Sequence, residues 1–357
     1  MVYPVPVFRD RRVAAVIPCY AVAASLGEVL GSLPDFIDEV IVVDDGSPDD
    51  VAKAIAEAQP ARTTSARVTL LRHPVNRGLA AAMATGFHKA LELGADIVVK
   101  IDGDGQMDPA HTPALLLPIV RGEADFTKGN RFMHRKHLRG MPRVRLVGNL
   151  GLSFLSKAAS GYWNIFDPTN GFLALRRELL AEIDLDRLGP RYFFETSLLV
   201  EAYLAGAVVK DVSIPSRYGD ETSSLSVGRS LAEFPWRLLK AGMRRIALRY
   251  FLRDFTPVAL FLLLGLALSG WGLVFGVVRW MQHYGSGIPT PTGTIILAVL
   301  PLLMGFQLLL QAAVMDIQNV PQKTRWPEDS RPPTVACQQS TVDAQQPEPA
   351  HAERTRL

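Results

Sequence analysis

Two acidic clusters, each placed directly after a β-branched run, are where this sequence could first do chemistry. Val98-Val99-Lys100-Ile101 runs into Asp102-Gly103-Asp104-Gly105-Gln106. In an extended segment alternate side chains share a face, so Asp102, Asp104 and Gln106 can all be presented to one ligand, and the glycines let it approach the backbone. Two carboxylates and an amide oxygen are hard donors suited to Mg²⁺ or Mn²⁺, ions that keep positions open for phosphate oxygens. A polar turn has the same composition; the position after a fourth predicted strand favours the metal reading. The second cluster, Asp44-Asp45, follows Val40–Val43 and continues as Gly46-Ser47-Pro48-Asp49-Asp50. Ser47 suits the cap of a helix begun by Pro48, and the later acids suit its first turn. Capping explains less well the paired carboxylates, which could accept hydrogen bonds from a base or a ribose.

Cations come next. The stretch from Lys128 to Arg145 is crowded with Arg, Lys and His, and Arg131, Arg143 and Arg145 are candidates to hold phosphate oxygens in a guanidinium fork, each of them also readable as a solvated surface cation. Asp167, before Pro168, could position an arginine or simply stabilise a turn. Glu195 would serve as a base if the attacking group were a neutral hydroxyl. His73, His111, His134 and His137 show no metal-ligand spacing with Cys or Glu, so no zinc site is expected. The 2 cysteines, Cys19 and Cys337, exclude a disulfide scaffold and point to a reducing compartment. No Gly-x-Gly-x-x-Gly follows the first apolar run and no P-loop occurs, which argues against a dehydrogenase or a P-loop enzyme.

These residues need elements to place them. From Val13 on, apolar runs alternate with helix-like stretches: Val13–Ile17 then Ser25–Ser32, Val40–Val43 then Asp49–Gln59, Val68–Leu71 then Leu79–Leu93, Ile97–Ile101 then His111–Arg121. That alternation predicts an α/β domain, a mostly parallel sheet with helices on both faces, whose ligands gather at the carboxyl ends of the strands. The chain has 357 residues, 48 % hydrophobic and 20 % charged, with a formal net charge of +3. Its mean hydropathy of +0.14 is high for a soluble enzyme. The excess has an owner: Phe255–Val278 and Tyr284–Met315 carry no charged residue, and each is long enough to span the bilayer's apolar layer. Before them, Arg229, Arg237, Lys240, Arg244, Arg245, Arg249 and Arg253 face only Glu233 and Asp254, whereas the connector 279–293 has a single Lys or Arg, Arg279. The positive-inside bias puts the N-terminal domain and the tail, and so both termini, in the cytosol and the connector on the other side. Phe234, Trp236, Leu238, Leu239, Met243, Ile246, Tyr250 and Phe251 alternate with those cations, the makeup of helices lying in the interface with their basic side toward anionic headgroups. Four segments result: a cytosolic catalytic domain 1–228, amphipathic juxtamembrane helices 229–254, a two-helix transmembrane hairpin 255–315, and a disordered cytosolic tail 316–357, proline- and polar-rich from Pro321. Met1–Arg12 has no secretory pattern, and the small net charge gives no footprint for nucleic acid.

Taken in order, Ile17-Pro18-Cys19-Tyr20, Val42 through Asp49, Asn76-Arg77-Gly78-Leu79, Asp102 through Gln106, Gly129-Asn130-Arg131 and Asp167-Pro168-Thr169-Asn170-Gly171-Phe172 resemble the motif set of family 2 glycosyltransferases. The similarity covers about residues 13–227 and is greatest to dolichyl-phosphate mannose synthases and bacterial polyprenyl-phosphate glycosyltransferases. It implies a GT-A fold and a nucleotide-sugar donor, with Pro18, Tyr20, Asp44, Asp45 and Asp102 on the nucleotide, and Asp102, Asp104 and Gln106 on Mg²⁺ or Mn²⁺ and the diphosphate. The resemblance also implies Arg131 and one of Arg143 and Arg145 on the acceptor phosphate, Arg217 neutralising the leaving diphosphate from a flexible loop, and Asp167 at the reaction centre. Two departures stand out: relatives continue Pro-x-Tyr with Asn-Glu where this chain has Ala21-Val22, and many place a Lys where Ser224 stands. Gln322-Lys323-Thr324-Arg325-Trp326 matches a motif of processive polysaccharide synthases but lies in the tail, and reads as a chance match. The expected activity is inverting transfer of one hexose to an undecaprenyl or dolichyl monophosphate at the cytosolic face, in a bacterial inner membrane, by a homo-oligomer embedded in the bilayer. A phosphate is already ionised near neutral pH and needs no protein base. The alternatives are a glycosyltransferase with a hydroxyl acceptor and a non-catalytic nucleotide-sugar binder.

Overall fold

The computed structural model describes residues 8, 10–58, 66–131, 143–190, 193–215, 227–284 and 289–326, without the side chains of 143–147, 149, 150 and 227–233. Seven strands, β1 Val13–Cys19, β2 Glu39–Asp44, β3 Arg67–Arg72, β4 Ile97–Lys100, β5 Phe126–Asn130, β6 Leu173–Arg176 and β7 Val209–Ser213, form one sheet in the order β3-β2-β1-β4-β6-β5-β7. The helices are α1 Ala23–Gly31, α2 Val51–Ala58, α3 Leu79–Glu92, α4 Thr112–Val120, α5 Arg143–Ser160, α6 Arg177–Glu182, α7 Phe194–Ala205, α8 Val227–Ala247, α9 Pro257–His283 and α10 Thr292–Gln318. β2 and β4 are buried along their whole length because helices cover both faces, and this is why they read as unbroken Val/Ile runs. One face packs Val16, Val43, Phe87, Leu175 and Leu198; the other packs Ile17, Val42, Val99, Leu116 and Phe172. β3 is one edge of the sheet, opposite β7, and is partly buried to exposed along its length.

The strand β6 runs antiparallel to both neighbours, β4 and β5, while β1, β2, β3 and β4 are mutually parallel and β5 is parallel to β7. An antiparallel strand begins where its parallel neighbours end. The loop entering β6, residues 166–172, is therefore delivered to the ligand edge beside Asp102, and Arg131 reaches that edge from the end of β5.

The helices α9 and α10 each have 27 residues and contain 18-residue stretches of mean hydropathy 2.3 and 2.2, long and apolar enough to cross a membrane. They pack closely where side chains are absent: a Cβ on Gly272 would lie 2.6 Å from the Ala298 carbonyl oxygen. Leu263, Trp271, Leu303 and Phe306 point away from the pair and are exposed.

Two expectations about the C-terminal third need correction. The cations of 229–254 do not all face outward: Arg244 pairs with Glu201 at 2.5 Å, Arg245 is buried against Asp316, and Arg253 donates to the Leu204 carbonyl. Their carboxylate and carbonyl partners lie on α7 and α10, so the domain itself takes up charges that the sequence reading gave to headgroups. The outer face of α8 keeps Trp236, Leu239 and Met243 exposed, as an interfacial helix would. The tail also does not begin at 316. Helix α10 continues to Gln318, Val320 and Trp326 pack on the main core, Arg176 Nη1 donates to the Trp326 carbonyl, and Arg325 pairs with Glu182 at 2.5 Å. Gln322–Trp326 thus lies across the base of the sheet, at the end opposite Asp102; residues 327–357 fall outside the described chain.

Candidate active site

Where β4 ends, the Asp102–Gln106 segment turns tightly. Ser25 Oγ on α1 donates to the Gly103 carbonyl at 2.8 Å, and the Gln106 N–H donates to Asp104 Oδ1 at 3.0 Å. Beneath it lies a residue that sequence reasoning passed over as part of a strand. Lys100 is 1 % exposed, and its Nζ donates to Asp102 Oδ1 at 2.5 Å and to the Gly171 carbonyl at 3.2 Å. Glu195 Oε1 stands 3.9 Å from the same nitrogen. A second buried lysine, Lys128 on β5, donates to the Asn170 carbonyl at 2.6 Å. Gly171 allows this closure: a Cβ there would sit 2.6 Å from Lys100 Nζ and 2.8 Å from Asp102 Oδ2. Two ammonium groups thus tie the 167–171 loop to the Asp102 edge from below.

Burial alone pulls the Lys100 ammonium down, but the carboxylates of Asp102 and Glu195 outweigh it and hold it above the ordinary lysine value. Lys128 has weaker compensation, and burial brings it down to about 8 against the pull of Glu195 and Asp167. Burial pushes the Glu195 carboxyl up, with Lys100 and Lys128 opposing. Glu195 therefore sits among lysines in the interior, at 7 % side-chain exposure.

Above the lysines, Asp167 is fully buried and grips Arg131 in a fork, Nε to Oδ2 at 2.9 Å and Nη2 to Oδ1 at 3.2 Å. The Arg131 side chain remains 38 % exposed and forms, with Asp167, Thr169, Phe166, Leu152 and Ser153, the lining of a small open cleft. Asp211 on β7 accepts from the Phe166 N–H and from Asn130 Nδ2, both at 2.7 Å, and Ser153 Oγ donates to the Phe166 carbonyl at 2.9 Å. The loop is thus fixed from β7 on one side and from α5 on the other.

The opposite flank is built from the ends of β1 and β2. Register pairs Cys19 with Asp44, which brings Tyr20, 51 % exposed, next to the acidic pair. Both acids are buried and already bonded. Asp44 accepts from the Ser47 N–H at 2.8 Å and pairs with Arg72 at 3.2 Å. Asp45 accepts from the Arg77 and Gly78 N–H groups at 2.9 and 2.7 Å and contacts His73 Nδ1 at 2.7 Å. The helix α2 begins at Val51 and not at Pro48; Asp50 accepts from the Lys53 N–H, and Ser47 Oγ instead joins the two loops by donating to the Cys19 carbonyl. Asp49 accepts from the Ala23 N–H at the start of α1. The expected Ser47 cap gives way to these longer-range bonds because the β1 and β2 loops have to be held side by side.

Compared with known proteins, residues 14–184 match the glycosyl transferase family 2 model. The polyprenol monophosphomannose synthase of Mycolicibacterium smegmatis is 31 % identical over 253 residues, 68 % of this chain and 91 % of that one. The chain belongs to glycosyl transferase family 2. A UDP-N-acetylglucosamine–dolichyl-phosphate N-acetylglucosaminyltransferase of Methanococcus voltae is 30 % identical over 219 residues, covering 58 % of this family 2 glycosyltransferase and 87 % of its relative. An undecaprenyl-phosphate mannosyltransferase of Micrococcus luteus is 32 % identical over 206 residues, 57 % and 82 % of the two chains. The crystal structure of a mycobacterial protein superposes with a TM-score of 0.50 at 21 % identity, covering 69 % of this chain and 79 % of that one, and bears on the fold alone.

In this family 2 glycosyltransferase the fold brings Asp102, Asp104, Asp167 and Arg131 to one edge, with Pro18, Tyr20, Asp44 and Asp45 flanking it. Arg217 lies outside the described residues, as do the side chains of Arg143 and Arg145, whose backbone forms the first turn of α5. Among the described residues no three His, Cys, Asp or Glu side chains converge on a point. The Asp102, Asp104 and Gln106 set is all oxygen, which fits Mg²⁺ or Mn²⁺ in kind, and one oxygen of Asp102 is already taken by Lys100. Sequence reading missed Lys100, Lys128 and Asp211. A lysine inside a buried strand is the signal that could have found Lys100 and Lys128, since such charges are buried only when paired, whereas Asp211 lies on the partly buried edge strand β7 and gives no such signal.

Proposed function

We propose that this glycosyltransferase moves one hexose from a nucleotide sugar to a polyprenyl monophosphate, with inversion, at the cytosolic face of a membrane that its C-terminal hairpin crosses. The observation that carries the reading is the Arg131–Asp167 fork. A guanidinium locked by a buried carboxylate, partly open to a cleft and joined through the 167–171 loop to the Asp102 edge, suits an anionic acceptor. A hydroxyl acceptor would need a base at that cleft, whereas Glu195 sits beneath the site among lysines. Relatives named for dolichyl-, polyprenol- and undecaprenyl-phosphate acceptors support the acceptor class.

In the reaction a phosphate oxygen of the acceptor attacks the anomeric carbon from the face opposite the nucleotide, the bond to the diphosphate oxygen breaks, and a nucleoside diphosphate leaves. Arg131 holds the attacking phosphate in line, oriented by Asp167; the cost of ordering is met before the chemical step. Asp102 and Asp104 would hold a Mg²⁺ or Mn²⁺ ion that offsets the diphosphate's charge. Pro18, Tyr20 and the bonded pair Asp44 and Asp45 frame the nucleoside, and Arg217, with Arg143 or Arg145, adds positive charge around the phosphates. The basic flank before α9 supports a cytosolic domain, and a bacterial inner membrane and a homo-oligomer through the hairpins belong to the same proposal.

The test uses the full chain in vesicles of phosphatidylcholine and phosphatidylglycerol containing undecaprenyl phosphate, with Mg²⁺ or Mn²⁺ and a panel of nucleotide sugars. A glycosylated lipid of the right mass, with one nucleoside diphosphate released per sugar, is expected from at least one donor. Binding without transfer would favour the non-catalytic reading, and transfer only to a glycan hydroxyl would favour the other; either result refutes the proposal.

A further inference from the structure

Asp316, in the last turn of α10, is an ionisable residue in a helix otherwise apolar for most of its length, and four side-chain donors converge on it. Arg245 Nη1 reaches Oδ1 at 2.7 Å and Nη2 reaches Oδ2 at 3.0 Å; the Tyr250 hydroxyl donates to Oδ1 at 2.6 Å and Trp163 Nε1 to Oδ2 at 3.2 Å. The donors come from three places: α8, the π-helical turn Leu248–Leu252 that leads into the hairpin, and the loop after α5. Arg245 is 1 % exposed and Tyr250 1 %. Charges at a span's end are ordinarily solvated or snorkelled, and one buried with a full set of partners marks a junction under geometric control.

The bonds continue toward the site. Arg245 Nε donates to the Ala159 carbonyl and Nη2 to the Ala158 carbonyl, both at 3.1 Å, and so caps the C-terminal end of α5. Six residues back along that helix, about 9 Å at its rise per residue, Ser153 binds the Phe166 carbonyl and lines the Arg131–Asp167 cleft. A second tie runs parallel, since the Tyr203 hydroxyl donates to the Asn319 carbonyl at 3.3 Å. The hairpin is therefore fastened to α5, and α5 to the cleft.

We propose that Asp316 is a positioning residue for transfer to membrane-borne acceptors: with Arg245, Tyr250 and Trp163 it fixes the orientation of the catalytic domain against the hairpin, so that the cleft meets a phosphate confined to the bilayer surface. The proposal rests on the polyprenyl-phosphate reading above. An acceptor dissolved in water finds the cleft in any domain orientation. One held in the membrane finds it only in the competent fraction, and apparent affinity falls in proportion to that fraction.

The experiment compares the wild-type full chain with Asp316→Asn and the milder Tyr250→Phe, using undecaprenyl phosphate in phosphatidylcholine and phosphatidylglycerol vesicles and, separately, water-soluble citronellyl phosphate. Asp316→Asn should raise KM for the vesicle acceptor by about tenfold or more, as expected if the competent fraction falls to a tenth, while kcat and KM for citronellyl phosphate stay within about twofold. Tyr250→Phe should show the same split at smaller size, and is read if Asp316→Asn fails to fold. Equal losses on both acceptors would mean that the residue only stabilises the fold, and no change on either would mean that the junction does not orient; both overturn the proposal. If the wild type transfers to neither acceptor, the function reading fails and amide exchange decides the junction. Faster exchange at 158–163 in Asp316→Asn, with β1 and β4 unaffected, supports the weld; unchanged exchange refutes it.

Discussion

Replacing Lys100 by Met keeps the volume and the packed stem and removes only the ammonium that joins Asp102, Gly171 and Glu195. Breaking a buried ion pair from one side costs about 3–5 kcal/mol. Two features of the site reduce that figure. The Asp102 side chain is 27 % exposed and regains water, and Glu195, whose carboxyl burial already pushes up, can take a proton instead of standing alone as a charge. About 2–3 kcal/mol is then expected, a fall in Tm of about 4–12 °C for a domain of this size. Activity should fall further than stability, because the Gly171 carbonyl loses its donor and the loop carrying Asp167 loosens; a displacement of about 1 Å can cost on the order of a hundredfold in rate. The assay is thermal unfolding of the full chain followed by tryptophan fluorescence, run as a double-mutant cycle with Asp102→Asn. The two substitutions should couple by at least about 0.5 kcal/mol. A melt within 2 °C of wild type, or losses that simply add, would show that Lys100 does not bind the two halves of the site together, with the 2 °C bound taken as roughly the effect of 1 kcal/mol or less.

Asp104→Ala should abolish transfer while the melt stays near that of the wild type, because Asp104 is only partly buried; measurable turnover in the presence of Mg²⁺ or Mn²⁺ would remove it from the metal set. Glu195→Gln should leave transfer to a lipid phosphate within about tenfold, since no base is required, and a loss of a thousandfold or more would reinstate the hydroxyl-acceptor reading. Lys128 gives a pH test with a definite sign. Burial lowers its value from 10.5 to about 8, so between those pH values the unfolded chain holds a proton that the folded chain has released. Stability traceable to Lys128 therefore rises across that window, by at most about 1.4 kcal/mol per pH unit. The difference between the Lys128→Met and wild-type melts should shift in favour of wild type from pH 8 to 10.5, and a constant difference would refute a buried, titrating ammonium.

Much of the sheet was legible because its signal is local. Val40–Val43 and Ile97–Ile101 are apolar runs bounded by acids and glycines, and the strands Glu39–Asp44 and Ile97–Lys100 differ from them by a residue or so at the ends. The antiparallel course of β6 was not legible, since nothing in Leu173–Arg176 records direction; direction follows from α5 and the 161–172 segment having to return to the top of the sheet. At the site, the residue types of Asp102, Asp104, Arg131 and Asp167 were readable, but their partners were not. Asp44 and Asp45 read as ligand carboxylates, and only the folded chain shows how much of each is spent on Ser47, Arg72, His73, Arg77 and Gly78. Ala21 shows the same limit. It holds φ at +55°, a conformation that asparagine tolerates better than alanine, so the departure from the family's Asn at this position places a strained residue beside Tyr20. The Arg245–Asp316 pair joins residues 71 apart, and in sequence its arginine cannot be told from the other cations of 229–254.

The strap formed by residues 319–326 also sets an order of assembly. Val320 and Trp326 complete a core whose other members lie between residues 14 and 209, so the base of the sheet stays uncovered until α9, α10 and the residues after them have left the ribosome. The domain is made first and closed last, after the helical hairpin has been synthesised. A chain shortened to its first 254 residues, the natural choice for a soluble enzyme, would leave Tyr203, Trp163 and Arg245 without Asn319 and Asp316, and would present their apolar and charged surfaces to water together. Such a fragment should aggregate or need detergent even though every residue of its active edge is present.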